Sequence, residues 1–471
     1  MKNIIKNILL VLVIFLASCE SIVEDINLNP NNIAVDEVEA TSFLTGILLA
    51  NTSQSVSHLN RISGLWSGQL VGYTSLYSNI FGYNISTAES NDPWARVYIA
   101  IIPNARHIQA SAPNDALLNG ITKTVEAMAI STAASVFGDI PYSEVNSEIE
   151  DPTFDSQISV FNAALALLDE AIADLNNASS RDLSEDIYFE GDADKWIAAA
   201  NTVKARIYMW MRDYSNAYQS AQSGIASADD NLQHIPRGDA AVNDGDKNLF
   251  YEPIAGSRAG DIGSRDSYML GLLDVNSPTY RGNAKTDETS RLGYYTILES
   301  SASENLGFAN QFEPQDIVSF QENQLILAEA GARVIDFDRG LQHLNEYRVY
   351  LDAGGDVNAN FQDMPHVYMP YETADFEAGG MENNGNDNAD IALLREIIEE
   401  RYISGFGMFM PFDDARRLRR GESDLIVPFP LNTASATLFP ERMPYSDNEL
   451  NTNGNAPSDD PGIFMKTEVN Q

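Results

Sequence analysis

One cysteine, five histidines, few cations and no apolar run long enough for a comfortable membrane span set the first limits on this 471-residue chain. Cys19 stands alone, so no intrachain disulfide can brace the fold. His58, His107, His234, His343 and His366 fall singly, with no H-E-x-x-H pair and no cysteine partner, which argues against a transition-metal centre. No G-x-S-x-G elbow and no Gly-Lys phosphate loop appears. Cations are scarce: 29 Lys and Arg stand against 68 Asp and Glu, a formal net charge of -39. Such a field repels nucleic acid and anionic lipid and weakens the case for a polyanionic ligand. Its plainest reading is solubility in a salty medium. Paired catalytic carboxylates leave no legible trace among so many acids, so the sequence gives a glycosidase no positive signal.

What the chain does have is the material of a folded body. With 44% hydrophobic and 9% aromatic residues it has enough apolar surface to offset ordering entropy, and its length allows two or three domains. Lys2 and Lys6, the apolar run Ile8 to Leu16 and the small-residue site Leu16-Ala17-Ser18-Cys19 predict a lipoprotein signal over residues 1–18. Cys19 is then the lipidated residue that anchors the chain to a membrane, and residues 19–37 form an acidic, Asn- and Pro-rich tether.

Helical periodicity dominates the chain beyond the tether. Apolar residues return in helical order from Val38 to Ala50, and Pro93 suits the first turn of another helix. Further helices are predicted over Asn119–Phe137, Ile158–Leu175 with Asp155 as N-cap, Trp196–Trp210, Tyr214–Ala228 and Asp390–Tyr402. Leu325, Ala328 and Ala332, then Leu341, Leu344 and Leu351 after a break at Asp336-Phe337-Asp338, predict two antiparallel helices. The small residues Ala328, Ala330, Gly331 and Ala332 let them approach closely, as in a tetratricopeptide pair. By contrast Gly64 to Asn84 mixes glycines with Trp66, Tyr73, Tyr77, Phe81 and Tyr83, which predicts a shaped loop or broken helix. Residues 229–316 lose the helical period and are too long for a plain connection, so short elements of their own are expected there.

Several strings, taken in order, resemble the SusD/RagB family of outer-membrane nutrient-binding lipoproteins. They are the E-x-x-L-I-x-A-E-A run from Glu322, F-G-D-I-P-Y at 137–142, the W…A-N-x-x-K-A-R helix from Trp196 to Arg206, and Pro444, Tyr445 and Glu449 in the tail. The chain departs from the family at Ile403-Ser404-Gly405 and at Met410-Pro411, while Glu400, Arg401, Asp413 or Asp414, Arg416 and Arg417 keep its pattern. The resemblance implies a mainly α, tetratricopeptide-repeat-like scaffold at about 93–228 and 320–355. Loop-rich ligand-face insertions would lie at about 60–90 and 229–316 and a C-terminal region at 356–471, within one domain from 38 to 471. It also implies a non-catalytic lipoprotein of the outer membrane, its acidic tether similar to those that go with surface exposure in Bacteroidetes. Such a protein delivers oligo- or polysaccharide to a TonB-dependent SusC-like porin. A peptide cargo remains an alternative, and a secreted glycoside hydrolase a third.

Neutral sugars are held by aromatic faces beside planar hydrogen-bonding groups. Trp66, the only tryptophan outside a helical stripe, with Tyr73, Tyr77 and Tyr83 and the polar neighbours Asn60, Arg61 and Asn79, is the first candidate platform. Tyr294 and Tyr295, near Tyr268, Tyr280 and Phe308, are the second; the bland reading of both groups is packing of loops onto the body. The acidic, lysine-poor balance suits a marine setting and makes a neutral marine β-glucan a candidate ligand. No cofactor is expected. A calcium loop is left open by Asn384, Asn386, Asn388 and Asp390 at alternate positions, although Arg395 stands where an EF-hand has its glutamate.

Overall fold

The computed structural model describes residues 39–239 and 245–471. The expected signal 1–18, Cys19 and the tether 19–37 lie outside the described residues. The architecture is mainly α, built from tetratricopeptide-like helical pairs. No helix among the described residues is long and apolar enough to cross a membrane.

Ala116–Phe137 is the central helix, buried along nearly its whole length. Asp115 caps its start by accepting the Leu118 N–H, and Gly138, at φ 85°, ends it. Its partner is Gln157–Asn177, and the two approach at Gly120, where a Cβ would sit 2.4 Å from the Leu175 side chain. The N-cap of that partner is Ser156, not Asp155. Asp155 instead accepts the Tyr142 and Ser143 N–H groups at 2.9 and 2.7 Å, closing the turn after Phe137. Asp139, in the same turn, accepts the Gln157 N–H at 2.9 Å.

Ala193–Met211, capped by Asp192, packs with Tyr214–Ala221. The latter is shorter than its periodicity predicts, because the chain turns at Gly224 and a side chain there would strike Asn323 at 2.1 Å. Phe320–Val334 and Phe337–Asp352 form the pair expected from the Glu322 run, with Asp336 capping the second. They approach closely at Ala332 and Gly340, where a Cβ on the glycine would meet that of Ala332 at 2.4 Å. Arg206 reaches from Ala193–Met211 to Glu322 at 2.6 Å and ties the two pairs together.

Before this scaffold lie Leu44–Val56, preceded by the short turn Ala40–Phe43, and His58–Trp66. The aromatic stretch is therefore not a loop at its start: Trp66 ends a helix, Val71–Gly72 forms a short strand and Ser75–Phe81 a further helix. The middle insertion holds short elements, as its length requires. Ile262–Gly263 pairs with Val71–Gly72, and Leu232–His234 pairs antiparallel with Gln315–Val318. Arg281 and Arg291 fasten this insertion to the helix Ala389–Ser404: Arg281 meets Glu288, Glu396, Glu399 and Glu400, and Arg291 meets Glu288 and Glu400. Asn388 caps that helix by accepting the Asp390 N–H at 3.0 Å, and Arg395 pairs with Asp387 at 2.9 Å.

Candidate functional site

The first predicted platform is not assembled as expected. Trp66 is 1% exposed; its Nε1 donates to the Ile80 carbonyl at 2.9 Å and its ring packs on Phe412. With its ring on Phe412 and its nitrogen engaged, Trp66 is a core residue, and its assignment as a stacking residue is corrected. Tyr77 is 2% exposed and its hydroxyl accepts from Arg61 Nε at 2.7 Å, while Arg61 Nη1 donates to the Leu249 carbonyl. Asn60 is likewise buried. Tyr77 and Arg61 join the early helices to one another and to the insertion. Asn79 is exposed, while Tyr73 and Tyr83 are half-buried. Burial and the neighbouring Asp266 charge push the Tyr73 hydroxyl up to about 12, whereas the Tyr83 hydroxyl accepts the Asn432 N–H at 2.9 Å beside the Phe464 ring. The two rings thus serve different surroundings.

Tyr294 and Tyr295 lead to a different place. They end the short helix Thr289–Tyr295 and line a cleft of about 180 Å³ between the insertion and the helical scaffold. Asp316, on the strand Gln315–Val318, lines it, and antiparallel pairing sets Gln233 opposite Asp316. Asp316 accepts from Gln233 Nε2 at 2.7 Å and from Asn231 Nδ2 at 3.0 Å. Gln321, in the first turn of Phe320–Val334, donates Nε2 to Asp316 at 3.3 Å and to Asp356 at 3.2 Å. Asp356 follows the helix Phe337–Asp352 in the left-handed region, at φ 73°, and receives the Tyr295 hydroxyl. Glu313 accepts from the Tyr294 hydroxyl at 3.0 Å and from Asn358 Nδ2 at 2.7 Å.

Aromatic rings back this polar wall. Phe308 and Phe406 meet edge to face at 4.8 Å, and Tyr295 lies 5.0 Å from Phe406. Gly407, at φ 76°, permits this packing, since a Cβ there would fall 2.1 Å from the Phe308 ring.

The electrostatics of the cleft are one-sided. Glu313, Asp316 and Asp356 line it together, and no Lys, Arg or His among the described residues does. Burial pushes all three carboxyls upward, Asp316 to about 6. Hydrogen bonds from Gln233 and Asn231 hold Asp316 down in part, while the Asp356 charge adds to the rise. The Arg291 charge, the Tyr295 hydroxyl and Gln321 restrain Asp356, and Asn358 and Tyr294 restrain Glu313. Two of these acids are turned to one amide nitrogen and both are raised. A glycosidase pair instead sets one carboxylate low as base or nucleophile and one high as acid.

Of the predicted residues, then, the structure brings Tyr294 and Tyr295 into this cleft, with Phe308 from the same group, and not Tyr268 or Tyr280. Sequence reasoning passed over Asn231, Gln233, Glu313, Asp316, Gln321, Tyr350, Asp356 and Phe406. The usable signal was weak: Asp316 follows Pro314 at the end of the aperiodic stretch, and Asp356 follows Gly354-Gly355 just past a helix end.

The chain matches, over residues 30–445, the SusD-like family model described as starch-binding and associating with the outer membrane. A chitin-binding SusD homologue from Flavobacterium johnsoniae superposes with a TM-score of 0.67 at 16% identity, covering 92% of this chain and 99% of that one. A SusD/RagB family protein from Bacteroides thetaiotaomicron gives 0.65 at 20% identity, covering 89% and 95%. A SusD homologue from Bacteroides fragilis gives 0.65 at 18% identity, covering 92% and 100%. No curated protein matches at a significant level. At these identities the solved structures speak for the fold, while the family model spans most of the chain: the protein belongs to the SusD-like family.

Proposed function

We propose that the protein is a lipid-anchored outer-membrane protein that captures an oligo- or polysaccharide at the cell surface, does not cleave it, and passes it to a SusC-like TonB-dependent porin. The observation that carries the binding reading is a cleft lined by planar hydrogen-bonding side chains, Asn231, Gln233, Gln321 and Asn358, with the buried rings of Tyr294 and Tyr295 in its wall. A few placed polar groups over an apolar wall suit a sugar, whose hydroxyls both donate and accept. The family description, which names starch binding, supports the same class of ligand. Among the described residues no arginine or lysine lines the cleft to take a peptide carboxylate, so the peptide alternative finds no support there.

The test is affinity electrophoresis of the chain lacking residues 1–19 through gels containing neutral or acidic polysaccharides. Among the described residues the first element of the fold begins at Ala40, so this form keeps the packed body. Retardation by at least one glycan, with the glycan recovered uncut, is the expected result. Free migration in every gel, or release of shortened sugars, contradicts the proposal.

A further inference from the structure

Arg281 stands where the middle insertion meets the helix Ala389–Ser404, and four carboxyls share its guanidinium: Glu396 at 2.5 Å, Glu400 at 2.7 Å, Glu399 at 2.8 Å and Glu288 at 2.9 Å. Arg291 takes a second hold on Glu288 and Glu400, at 2.8 and 2.6 Å. Other elements packed on the helix also turn charged groups to Glu396. Arg348 reaches it from Phe337–Asp352 at 4.0 Å. Glu382 and Tyr371 face it from the segment before the helix, with the Tyr371 hydroxyl donating to Glu382 at 2.8 Å. Lys285, whose carbonyl accepts from Arg348, pairs instead with Asp375 at 2.6 Å.

Among the described residues, then, five carboxyls, Glu288, Glu382, Glu396, Glu399 and Glu400, meet the three guanidiniums of Arg281, Arg291 and Arg348. A recessed group with more carboxyls than cations keeps a proton. Glu396 holds it: burial pushes its carboxyl up, Arg281 and Arg348 draw it down, Glu382 and Glu399 add to the rise, and it stands at about 8. Glu288 and Glu400 are buried too, yet the charges of Arg291 and Arg281 hold both low. The joint also bears on the cleft. Arg291 lies on the same short helix as Tyr294 and Tyr295. Ser404, which lines the cleft, donates to Glu400 at 2.8 Å and accepts from Tyr347 at 2.7 Å and from Arg291 at 3.3 Å. A charge added at Glu396 therefore reaches the cleft wall through Arg281 and Glu400.

We infer that Glu396 is a positioning residue for the cleft: while it keeps its proton the joint holds the wall that carries Tyr294 and Tyr295, and once it ionises that wall loosens. This rests on the saccharide capture proposed for the same cleft and adds the pH range in which it operates. The closed joint keeps the proton up to about 8, whereas a carboxyl freed into water loses it near 4.5. Rising pH between those values favours the open joint, and the effect is complete above the higher one. Between pH 7 and 9 the opening equilibrium should rise about tenfold.

Hydrogen exchange of the unliganded protein at pH 7 and 9, with labelling times scaled for the intrinsic rate, tests this. Peptides covering 281–295 and 404–408 should exchange about tenfold faster at pH 9, while those covering 116–137 keep one rate. Glu396→Gln, neutral and of the same size, should exchange alike at both pH values. Glu382→Gln removes a facing charge, weakens the hold of Glu396 on its proton and should shrink the difference. Equal exchange at the two pH values in the unmodified protein overturns the inference. So does a rise that persists in Glu396→Gln, is undiminished in Glu382→Gln or extends equally over 116–137. Those outcomes leave saccharide capture standing. Free migration in every polysaccharide gel removes that reading and leaves the exchange result to decide the joint.

Discussion

Arg291 and Glu400 face each other across the join between the middle insertion and the helix Ala389–Ser404, Nη1 to Oε1 at 2.6 Å, with both side chains almost wholly out of water. Removing one partner leaves the other charge buried and uncompensated, which costs roughly 3–5 kcal/mol. Arg291→Ala and Glu400→Gln should therefore each lower stability by about that amount in urea denaturation. Arg291→Met combined with Glu400→Leu should recover a large part of the loss, because no lone charge remains.

Glu329 carries an acid-sensitive share of the stability. Burial pushes its carboxyl up, but the charges of Arg417, Arg333 and Arg401 outweigh it and hold it at about 2 instead of the ordinary 4.5. A carboxyl held low stabilises the fold above its ordinary value and loses that contribution as pH falls from 4.5 toward 2. Glu329→Gln should be less stable at neutral pH and show a flatter acid limb over that window, measured as unfolding midpoints at stepped pH.

Asp316 has the opposite sign. Its carboxyl is raised from 3.8 to about 6, so the folded state binds the proton more tightly than the unfolded chain, and stability falls as pH rises through that window. Asp316→Asn removes this loss. Relative to the unmodified protein it should gain about 2 kcal/mol between pH 4 and 7, allowing for partial exposure. Urea titrations at the two pH values read the difference directly.

Trp66 separates stability from binding. Trp66→Ala empties a buried site and should cost about 3–5 kcal/mol, seen as a lowered melting temperature. Trp66→Phe keeps most of the packing and should retain glycan retardation in affinity gels. Loss of retardation in a folded Trp66→Phe protein would return this ring to the ligand face.

The scaffold was legible because helices write their burial as a period of three and four, and caps such as Asp192, Ser319 and Asp336 sit at the breaks in that period. The ordered motifs from Phe137 to Glu449 pointed to the family for the same reason, since they record packing contacts. The site was legible only at Tyr294, Tyr295 and Phe308. A glycine- and aromatic-rich run around Trp66 looked like a displayed platform, yet those rings are short of solvent because Phe412 and the Ile80 carbonyl enclose the tryptophan. The acids of the cleft come together by the pairing of Leu232–His234 with Gln315–Val318 and by the turn at Asp356, contacts that no local pattern records.

Hydrogen exchange with and without a retarding glycan tests the account most directly. Binding at the cleft predicts slowed exchange in peptides covering 228–233, 308–316, 350–358 and 404–408, with little change over 66–84. Protection confined to 66–84, with the cleft peptides unchanged, would contradict it.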